Sequence, residues 1–377
     1  MTNIIYELTT ELHSFFPIPD DASLEYSRLR GALEELVNNR VSSLPHINKI
    51  VPHRLRSVML DNHRNHVNFM ANVFTFNQPD MLLQTIPWVY RTYHDHGFSY
   101  DYFPEHLTAW QNAVTELLMP TAAAAINPVY RWMVDHHNQF VTASLSADSG
   151  TDTTTDLGWS SVKERFFNGL IRGRSQECLA VSSEIRSVDQ LMPFMQNVVQ
   201  PCMYEIGELW ERGEITVALE HQASSIVGRV MSSLYANFAR PHPSKGRAVV
   251  SSATNEYHEL GAWIVSDMLE LDGWEVRYLG ANTPVSDLLT MMVRFKPHLL
   301  ALSITMPFNV EHAHSIISAM RQEPKIAQTT VMVGGNAMNS APGLWKAIGA
   351  HGYALDAEGA VFFAREKWER MTAAERL

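Results

Sequence analysis

A histidine between two acidic residues stands out in the run Glu256-Tyr257-His258-Glu259-Leu260-Gly261. The segment 247–253 before it is apolar and rich in β-branched residues, and apolar residues recur after it at helical spacing, so a strand-to-helix loop is predicted here. Ligands of open α/β sheets collect outside the carboxyl ends of the strands, so His258 is predicted to face a binding crevice. Glu256 is placed to accept the proton of one ring nitrogen, which would fix the tautomer and strengthen the other nitrogen as a metal ligand.

Polar or small residues also come after later strands of the same α/β pattern. Ser303-Ile304-Thr305 follows the apolar strand 299–302 and carries two hydroxyl groups two residues apart. Gly334-Gly335 follows the strand 330–333, where glycines let the backbone approach a large ligand closely. A further strand is predicted over 274–280.

These three segments, taken in order, resemble the cobalamin-binding signature Asp-x-His-x-x-Gly, Ser-x-Thr/Leu, Gly-Gly, with Glu256 in place of the more usual Asp. The resemblance implies a Rossmann-like, doubly wound cobalamin-binding domain over 246–377. In that family the histidine, here His258, replaces cobalamin's own dimethylbenzimidazole as lower cobalt ligand, and the nucleotide tail enters a slot lined by the hydroxyl and glycine segments. The other predicted contacts with cobalamin in this domain are Glu256, Tyr257, Gly261, Ser303, Thr305, Gly334 and Gly335.

The region before the sheet has helical periodicity, and in it Trp210 is followed, after nine intervening residues, by Glu220-His221. This spacing resembles the cap of the adenosylcobalamin photoreceptors of the CarH/LitR type. The resemblance implies a four-helix-bundle cap over 161–242, in which Trp210 and Glu220 cover the upper cobalt face and contact the adenosyl group. Glu211 stands where that family has a histidine for cobalt after illumination, and His221 is a candidate substitute. Without the downstream motifs, Trp210 would be interpreted as a core anchor and Glu220 as a surface charge.

A polar segment without periodicity, 144–160, is predicted to be a linker between domains. Residues 1–143 are almost all helical in pattern, with long segments predicted over 24–37, 53–74 and 122–141. Short connections between six or more helices favour a globin-like or phycobilin-type all-α domain. The predicted fold class of the whole chain is thus α plus α/β, with an N-terminal all-α domain, a helical cap and a doubly wound sheet.

The N-terminal region is rich in rings: it holds ten of the seventeen histidines, and aromatic residues crowd the stretch 88–110. Such a stretch is typical of an aromatic core or an interface. The alternative is a pocket for a conjugated ligand, since the architecture resembles the photocobilins, which pair a bilin with cobalamin. Residues 1–143 contain no cysteine, so biliverdin would bind without a covalent bond. The predicted contacts are Tyr93, His94, His96, Asp101 and His106. Haem is the rival ligand, with His63, His66, His94, His96 and His106 as candidate iron ligands.

Composition narrows the classes of partner. A formal charge of −11 and a pI near 5.8 argue against direct binding to nucleic acid, and no basic recognition helix is evident. Two cysteines and the lack of a basic, apolar leader or a membrane-length apolar run favour a reduced, cytoplasmic location.

These resemblances together imply a cobalamin-dependent photoreceptor that is not an enzyme. Light would cleave the cobalt–carbon bond of adenosylcobalamin and change assembly, as a homo-oligomer, or affinity for a separate signalling protein. The main alternative is a corrinoid protein that carries methyl groups between methyltransferases. A subunit of a cobalamin-dependent isomerase is a third interpretation, but 377 residues leave no room for a substrate barrel.

Overall fold

The chain divides into two compact units in the computed structural model, which describes residues 2–146, 158–238, 242–341 and 343–374. The first unit is Met1–Asp148 together with the short segments Met306–Glu311 and Ser340–Leu344. The second unit comprises Ser149–Thr305, His312–Asn339 and Trp345–Leu377. Most of the predicted linker, residues 147–157, lies outside the described residues, as do 1, 239–241, 342 and 375–377. The predicted domain boundaries remain predictions.

Most of residues 2–146 are helical, as their apolar periodicity predicted. The helices are α1 (Thr2–His13), α2 (Asp20–Arg28), α3 (Arg30–Ser42), α4 (Ile47–Ile50), α5 (Arg56–Thr75), α6 (Pro79–Asp95), α7 (Tyr102–Leu117), α8 (Pro120–Asp135) and α9 (His137–Ser146). Aromatic side chains fill much of the core, and the largest fully buried ones include Trp110, Tyr26, Tyr102, Tyr130 and Phe74. The globin-like arrangement remains a prediction.

Two helices that the sequence predicted as continuous are each broken once. The predicted helix 24–37 ends at Arg28 and restarts at Arg30, because Leu29 leaves the helical region with φ −95° and ψ 6°. The predicted helix 122–141 is divided in the same way at His136, with φ −99° and ψ 14°. Neither Leu29 nor His136 is a glycine or proline, so the residue types at these positions did not predict a helix break.

The second unit begins with helices and continues as alternating strands and helices. The helices before the sheet are α10 (Ser160–Ile171), α11 (Ser175–Ser182), α12 (Leu191–Phe194), a π-helical turn (Met195–Val199), α13 (Gln200–Glu211) and α14 (Val217–Asn237). The sheet region contains β1 (Arg247–Ser252), α15 (Leu260–Leu271), β2 (Glu275–Tyr278), α16 (Val285–Phe295), β3 (Leu299–Ser303), α17 (Val310–Gln322), β4 (Thr330–Gly334), α18 (Asn336–Asn339), α19 (Leu344–Ala347), β5 (Gly352–Ala354) and α20 (Ala357–Ala374).

The five strands found in the described residues form one parallel sheet in the order β2-β1-β3-β4-β5. This is a doubly wound order, with its switch point between β1 and β3, where ligands of such sheets bind. Ser252 pairs with Ser303, and Ser303 pairs with Gly334, so the register aligns the ends of β1, β3 and β4. The mixed helical and parallel α/β architecture predicted from the sequence is therefore confirmed.

The helices before the sheet and the sheet itself share one hydrophobic core. Val227 and Val230 of α14 belong to the same buried cluster as Ala262 of α15, Val250 of β1 and Leu299 of β3. The helices before the sheet and the sheet therefore pack together within one compact unit. The four-helix-bundle cap remains a prediction. In this region the π-helical turn Met195–Val199 separates α12 from α13.

Among the described residues, no helix combines the length and the apolar character needed to cross a membrane.

Candidate functional site

A fully buried carboxylate organises the loop after β1. Glu256 is 0% exposed, and its Oε1 accepts hydrogen bonds from the backbone N–H of His258 at 3.1 Å and from the His258 ring Nδ1 at 2.5 Å. The predicted contact between Glu256 and His258 is therefore confirmed. With Nδ1–H held by the carboxylate, Nε2 is the nitrogen that His258 offers to a metal.

The same carboxylate ties the first motif to the second. Its Oε2 accepts a hydrogen bond from the backbone N–H of Thr305 at 3.0 Å, directly after β3. An aspartate would be one methylene shorter, so the longer side chain at position 256 reaches both the imidazole and the neighbouring strand end. This bridge was not foreseen from the sequence, because pairing across the sheet is needed to place Thr305 beside Glu256.

The electrostatic setting of His258 favours its protonated form in the absence of a metal. The pKa of His258 is raised, first by the hydrogen bond to Glu256 and then by the negative charges of Glu256 and Glu220, against the opposing effect of desolvation. Glu220, whose charge acts on this imidazole, lies in the first turn of α14. The side chain of His258 is 59% exposed, so a large ligand has access to it.

Gly335 and Gly261 differ in what surrounds their Cα atoms. At Gly335, φ is +96° and an added Cβ would lie 2.4 Å from the carbonyl oxygen of Ile304, so the backbone itself demands glycine. At Gly261, an added Cβ would meet no atom within 4 Å. Contacts in the described residues therefore explain Gly335 but not Gly261. Open space at Gly261, beside an accessible imidazole, fits a ligand that lies against the start of α15.

Alanine at these two glycines is expected to separate folding from binding. Gly335→Ala should lower the free energy of unfolding of the apo-protein by about 2 kcal/mol, because Cβ overlaps backbone and the φ value is strained. Gly261→Ala should leave apo stability unchanged or slightly higher, since alanine is the better helix former, yet weaken cobalamin binding. Thermal unfolding and spectral titration of both variants test this. Equal stability losses would contradict it.

The predicted cap residues lie on consecutive helices of the second unit. Trp210 and Glu211 are the last two residues of α13, whereas Glu220 and His221 lie in the first turns of α14. Glu220 accepts a hydrogen bond from the Ser224 hydroxyl at 2.9 Å, and His221 Nε2 lies 3.5 Å from Glu220 Oε2. The ring of His221 is largely exposed and directed to its own neighbour, so the structure pairs it with Glu220.

The residues predicted to contact a bilin do not form one cluster in the first unit. His94 is exposed, stacks on Tyr100 with ring centroids 3.9 Å apart, and bonds to the Phe98 carbonyl through Nδ1. Tyr93 is half-buried and meets Phe98 edge to face, and Asp101 is exposed. His96 is half-buried just after α6. Of the five predicted contacts, only His106 lies in the buried interior.

Two other histidines, the buried His63 and the half-buried His66, lie against His106 instead. The ring of His106 lies parallel to that of His63, with centroids 5.9 Å apart, and 5.3 Å from that of His66. Trp110 contacts His66 at 5.1 Å, and Tyr102 stacks on His106 at 4.8 Å. The sequence indicated His63 and His66 only as haem candidates. Their spacing of three on an apolar helix was the one signal that both share a face.

Burial keeps these histidines neutral. Desolvation lowers the pKa of His63 to about 3 and that of His106 to about 4, and it lowers the pKa of His66 well below its ordinary value. The unfolded chain takes up protons near pH 6.5, whereas the folded unit does not, so stability is full above that pH and falls as acid is added.

Acidification from pH 6.5 to about 4 is therefore expected to destabilise the first unit by about 1.4 kcal/mol per pH unit for each of His63 and His106, and His66 should act in the same direction. Hydrogen exchange of α5 and α7 amides at several pH values measures this. Carboxylates contribute to any acid response, so His63→Phe serves as the comparison, and its pH slope should be shallower. Identical slopes in the two proteins would contradict the assignment.

Comparison with known proteins finds matches to the helices before the sheet and to the sheet region. Two family models described as B12 binding domain match residues 162–235 and 246–362. Dimethylamine corrinoid protein 2 of Methanosarcina mazei is 25% identical over 202 residues, which cover 53% of this chain and 93% of that protein. The HTH-type transcriptional repressor CarH of Myxococcus xanthus is 28% identical over 197 residues, 52% of this chain, and the match spans only 59% of the repressor.

Among solved structures, the monomethylamine corrinoid protein of Methanosarcina barkeri aligns with 55% of this chain and 99% of its own, at 17% identity and a TM-score of 0.49. The sequence relatives and the two domain matches support cobalamin as the cofactor of this chain. The two sequence relatives are named as a corrinoid protein and as a transcriptional repressor.

Proposed function

We propose that this chain, two regions of which match B12 binding domains, is a cobalamin-dependent photoreceptor. The observation that carries the proposal is the buried Glu256, which holds Nδ1 of an accessible His258 and leaves Nε2 for cobalt. A cobalt ion already held by a corrin ring would need one nitrogen ligand from the protein, and His258 would supply it. The nearby charge of Glu220 supports a ligand position between the loop of His258 and the start of α14.

Bound adenosylcobalamin would supply a light-sensitive cobalt–carbon bond. His258, with its tautomer fixed by Glu256, would hold the cofactor from the loop after β1, and Trp210 and Glu220 would contact the adenosyl group and select for it. Without those contacts of Trp210 and Glu220, α13 and α14 would repack and change the surface offered to another protein.

The second candidate is a corrinoid protein that carries methyl groups. It is favoured by the similarity to dimethylamine corrinoid protein 2, which extends over nearly the whole of that protein. The two functions place different demands on the cap. A photoreceptor needs a cap that closes over a bulky adenosyl group, whereas a methyl carrier needs one that opens to partner active sites.

Titration of the full-length protein with adenosylcobalamin and methylcobalamin in the dark tests this choice. We expect adenosylcobalamin to bind at least about tenfold more tightly, a difference of about 1.4 kcal/mol. The spectrum should also show that the cofactor's own base has been displaced by a protein ligand. Equal affinity for the two forms would support the methyl carrier.

We extend the proposal to the first unit, which takes up biliverdin without a covalent bond and acts as an antenna for red light. Neither cysteine of the chain lies within residues 1–143, and both are buried in the second unit. Haem is the second candidate for this unit. Absorption separates the two, since a haem protein has a Soret band near the blue and biliverdin absorbs in the far red.

The output of such a receptor is a change in self-assembly or in affinity for a separate signalling protein in the cytoplasm. The charge of −11 supports a protein partner over nucleic acid, because neutralising phosphates requires a basic surface. Glu211 beside Trp210, and the pairing of His221 with Glu220, support a photoproduct without a second firmly bound histidine.

A further inference from the structure

Asn282, in the loop after β2, makes hydrogen bonds to three consecutive residues of the loop after β1. Its backbone N–H donates to the Glu256 carbonyl oxygen at 3.0 Å, and its side-chain Oδ1 accepts from the backbone N–H of Asn255 at 2.8 Å. Its Nδ2 lies 3.3 Å from the hydroxyl oxygen of Tyr257 and donates to it. The loop after β1 is therefore held from the side immediately before His258.

The backbone of Asn282 explains why this position suits asparagine. Its φ of +51° lies in the left-handed region, which asparagine adopts more readily than most other residues with a side chain. Glycine would satisfy the backbone equally well but offers no side chain. An amide combines an acceptor with a donor, so asparagine meets the backbone requirement and also binds both Asn255 and Tyr257.

Two other hydrogen bonds hold the ends of the loop after β1, but not its middle. The Thr254 hydroxyl donates to the Thr283 carbonyl oxygen at 2.9 Å, and the Ser252 hydroxyl donates to the His258 carbonyl oxygen at 3.1 Å. The side chain of Asn282 acts between these two bonds. Its contribution to the loop is thus distinct from theirs.

Tyr257 is the most exposed of the residues that Asn282 contacts. It is 68% exposed and stands next to His258 in the chain, so its ring offers apolar surface to a large ligand. An exposed side chain without a partner exchanges between rotamers, whereas the bond from Asn282 at the far end of the ring restricts this exchange.

We propose that Asn282 is a positioning residue for cobalamin, which acts through His258 and Tyr257. This rests on the proposed function, and in particular on His258 as the lower ligand. A loop that is ordered before binding saves the free energy of ordering it in the complex. Without the side chain of Asn282, His258 competes less well with the cofactor's own base for cobalt, and the cofactor binds more weakly.

Titration of the full-length protein with adenosylcobalamin in the dark tests the proposal. Asn282→Gly keeps the left-handed backbone and the backbone bond to Glu256 but removes both side-chain bonds. We expect about tenfold weaker binding and a smaller fraction of bound cofactor whose absorption spectrum shows a protein nitrogen on cobalt. Asn282→Asp keeps the acceptor for Asn255, so its affinity should lie between those of wild type and Asn282→Gly.

The contribution of Tyr257 is separated by a double-mutant cycle. Tyr257→Phe removes only the hydroxyl, and we expect it to weaken adenosylcobalamin binding several-fold. In the Asn282→Gly background the same change should cause no further loss, because the bond between the two side chains is already absent.

Asn77→Gly is the matched control. Asn77 lies in the first unit, has a φ of +49°, and accepts a hydrogen bond from the backbone N–H of Ile18 through Oδ1 at 2.7 Å. Asn77→Gly should lower the thermal stability about as much as Asn282→Gly does. Its cobalamin affinity and spectrum should remain those of wild type, since a structural hydrogen bond elsewhere does not change the lower ligand.

The outcomes separate this inference from the proposed function. If folded Asn282→Gly keeps wild-type affinity and spectrum while His258→Ala loses binding, Asn282 is not a positioning residue and the lower ligand stands. If His258→Ala also binds like wild type, both fail. Should Asn282→Gly not fold, Asn282→Asp and Tyr257→Phe decide, because each loses the bond between amide and hydroxyl. Several-fold weaker binding in both supports the proposal, and wild-type binding in both overturns it.

Discussion

Replacing His258 with alanine is expected to remove the one protein ligand that we propose for cobalt. Cobalamin should then bind weakly, with its own base still on cobalt, or fail to bind. Glu256→Gln should keep the imidazole but lose the charge that orients it, and a loss of about 10- to 100-fold is expected. His258→Ala should cost more. Absorption spectra recorded in the dark and cobalamin affinities show which of the two variants loses more binding.

His13→Ala is the matched control, because His13 is a surface histidine of the first unit that pairs with Asp80. It should bind cobalamin like wild type. If His258→Ala instead retains wild-type affinity and spectrum, His258 is not the lower ligand. A larger loss in Glu256→Gln than in His258→Ala would show that the bridge to Thr305 matters for folding more than for ligation.

Replacing Trp210 with alanine is expected to abolish most of the preference for adenosylcobalamin over methylcobalamin. A buried aromatic contact is worth about 1–3 kcal/mol, so adenosylcobalamin should bind roughly tenfold or more weakly. Methylcobalamin affinity should change little, because its small upper ligand does not reach the cap. Glu220→Gln should reduce the preference in the same direction.

Tyr204→Ala supplies the matched control for these cap variants, since Tyr204 is an exposed aromatic residue on the same helix as Trp210. Titration of each variant with both cobalamins gives a preference ratio that does not depend on the active fraction. An unchanged ratio in Trp210→Ala would remove the cap assignment, and with it the main argument against a methyl carrier.

The part of the site that sequence predicted well is the part that obeys local rules. His258 and Glu256 are two residues apart on a loop, so their contact could be inferred from spacing alone. The bridge from Glu256 to Thr305 could not, because it depends on β1 and β3 being neighbours in the sheet. The glycine pair was interpreted as room for a ligand, whereas backbone crowding against Ile304 is sufficient reason for Gly335.

Sequence prediction was weakest where tertiary packing decides. The strand β5 has three residues, too few for a periodic pattern, and owes its place to pairing with β4. In the first unit, the density of rings over 88–110 drew attention to that stretch. His63 and His66 lie on a different helix from His106, and only packing of α5 against α7 places them together. A high density of aromatic residues and histidines along a sequence does not show which ring nitrogens are buried without a hydrogen-bond partner.

The most direct test of the central claim is the assembly state of the adenosylcobalamin-loaded protein before and after illumination. Light acts on the cofactor itself, so the test must measure a property of the protein. The sedimentation coefficient is therefore measured in the dark and in green light. We predict a light-dependent shift in sedimentation coefficient that is absent when the protein is loaded with hydroxocobalamin or carries His258→Ala. Identical sedimentation of loaded wild type in dark and light, with and without candidate partners, would contradict the photoreceptor.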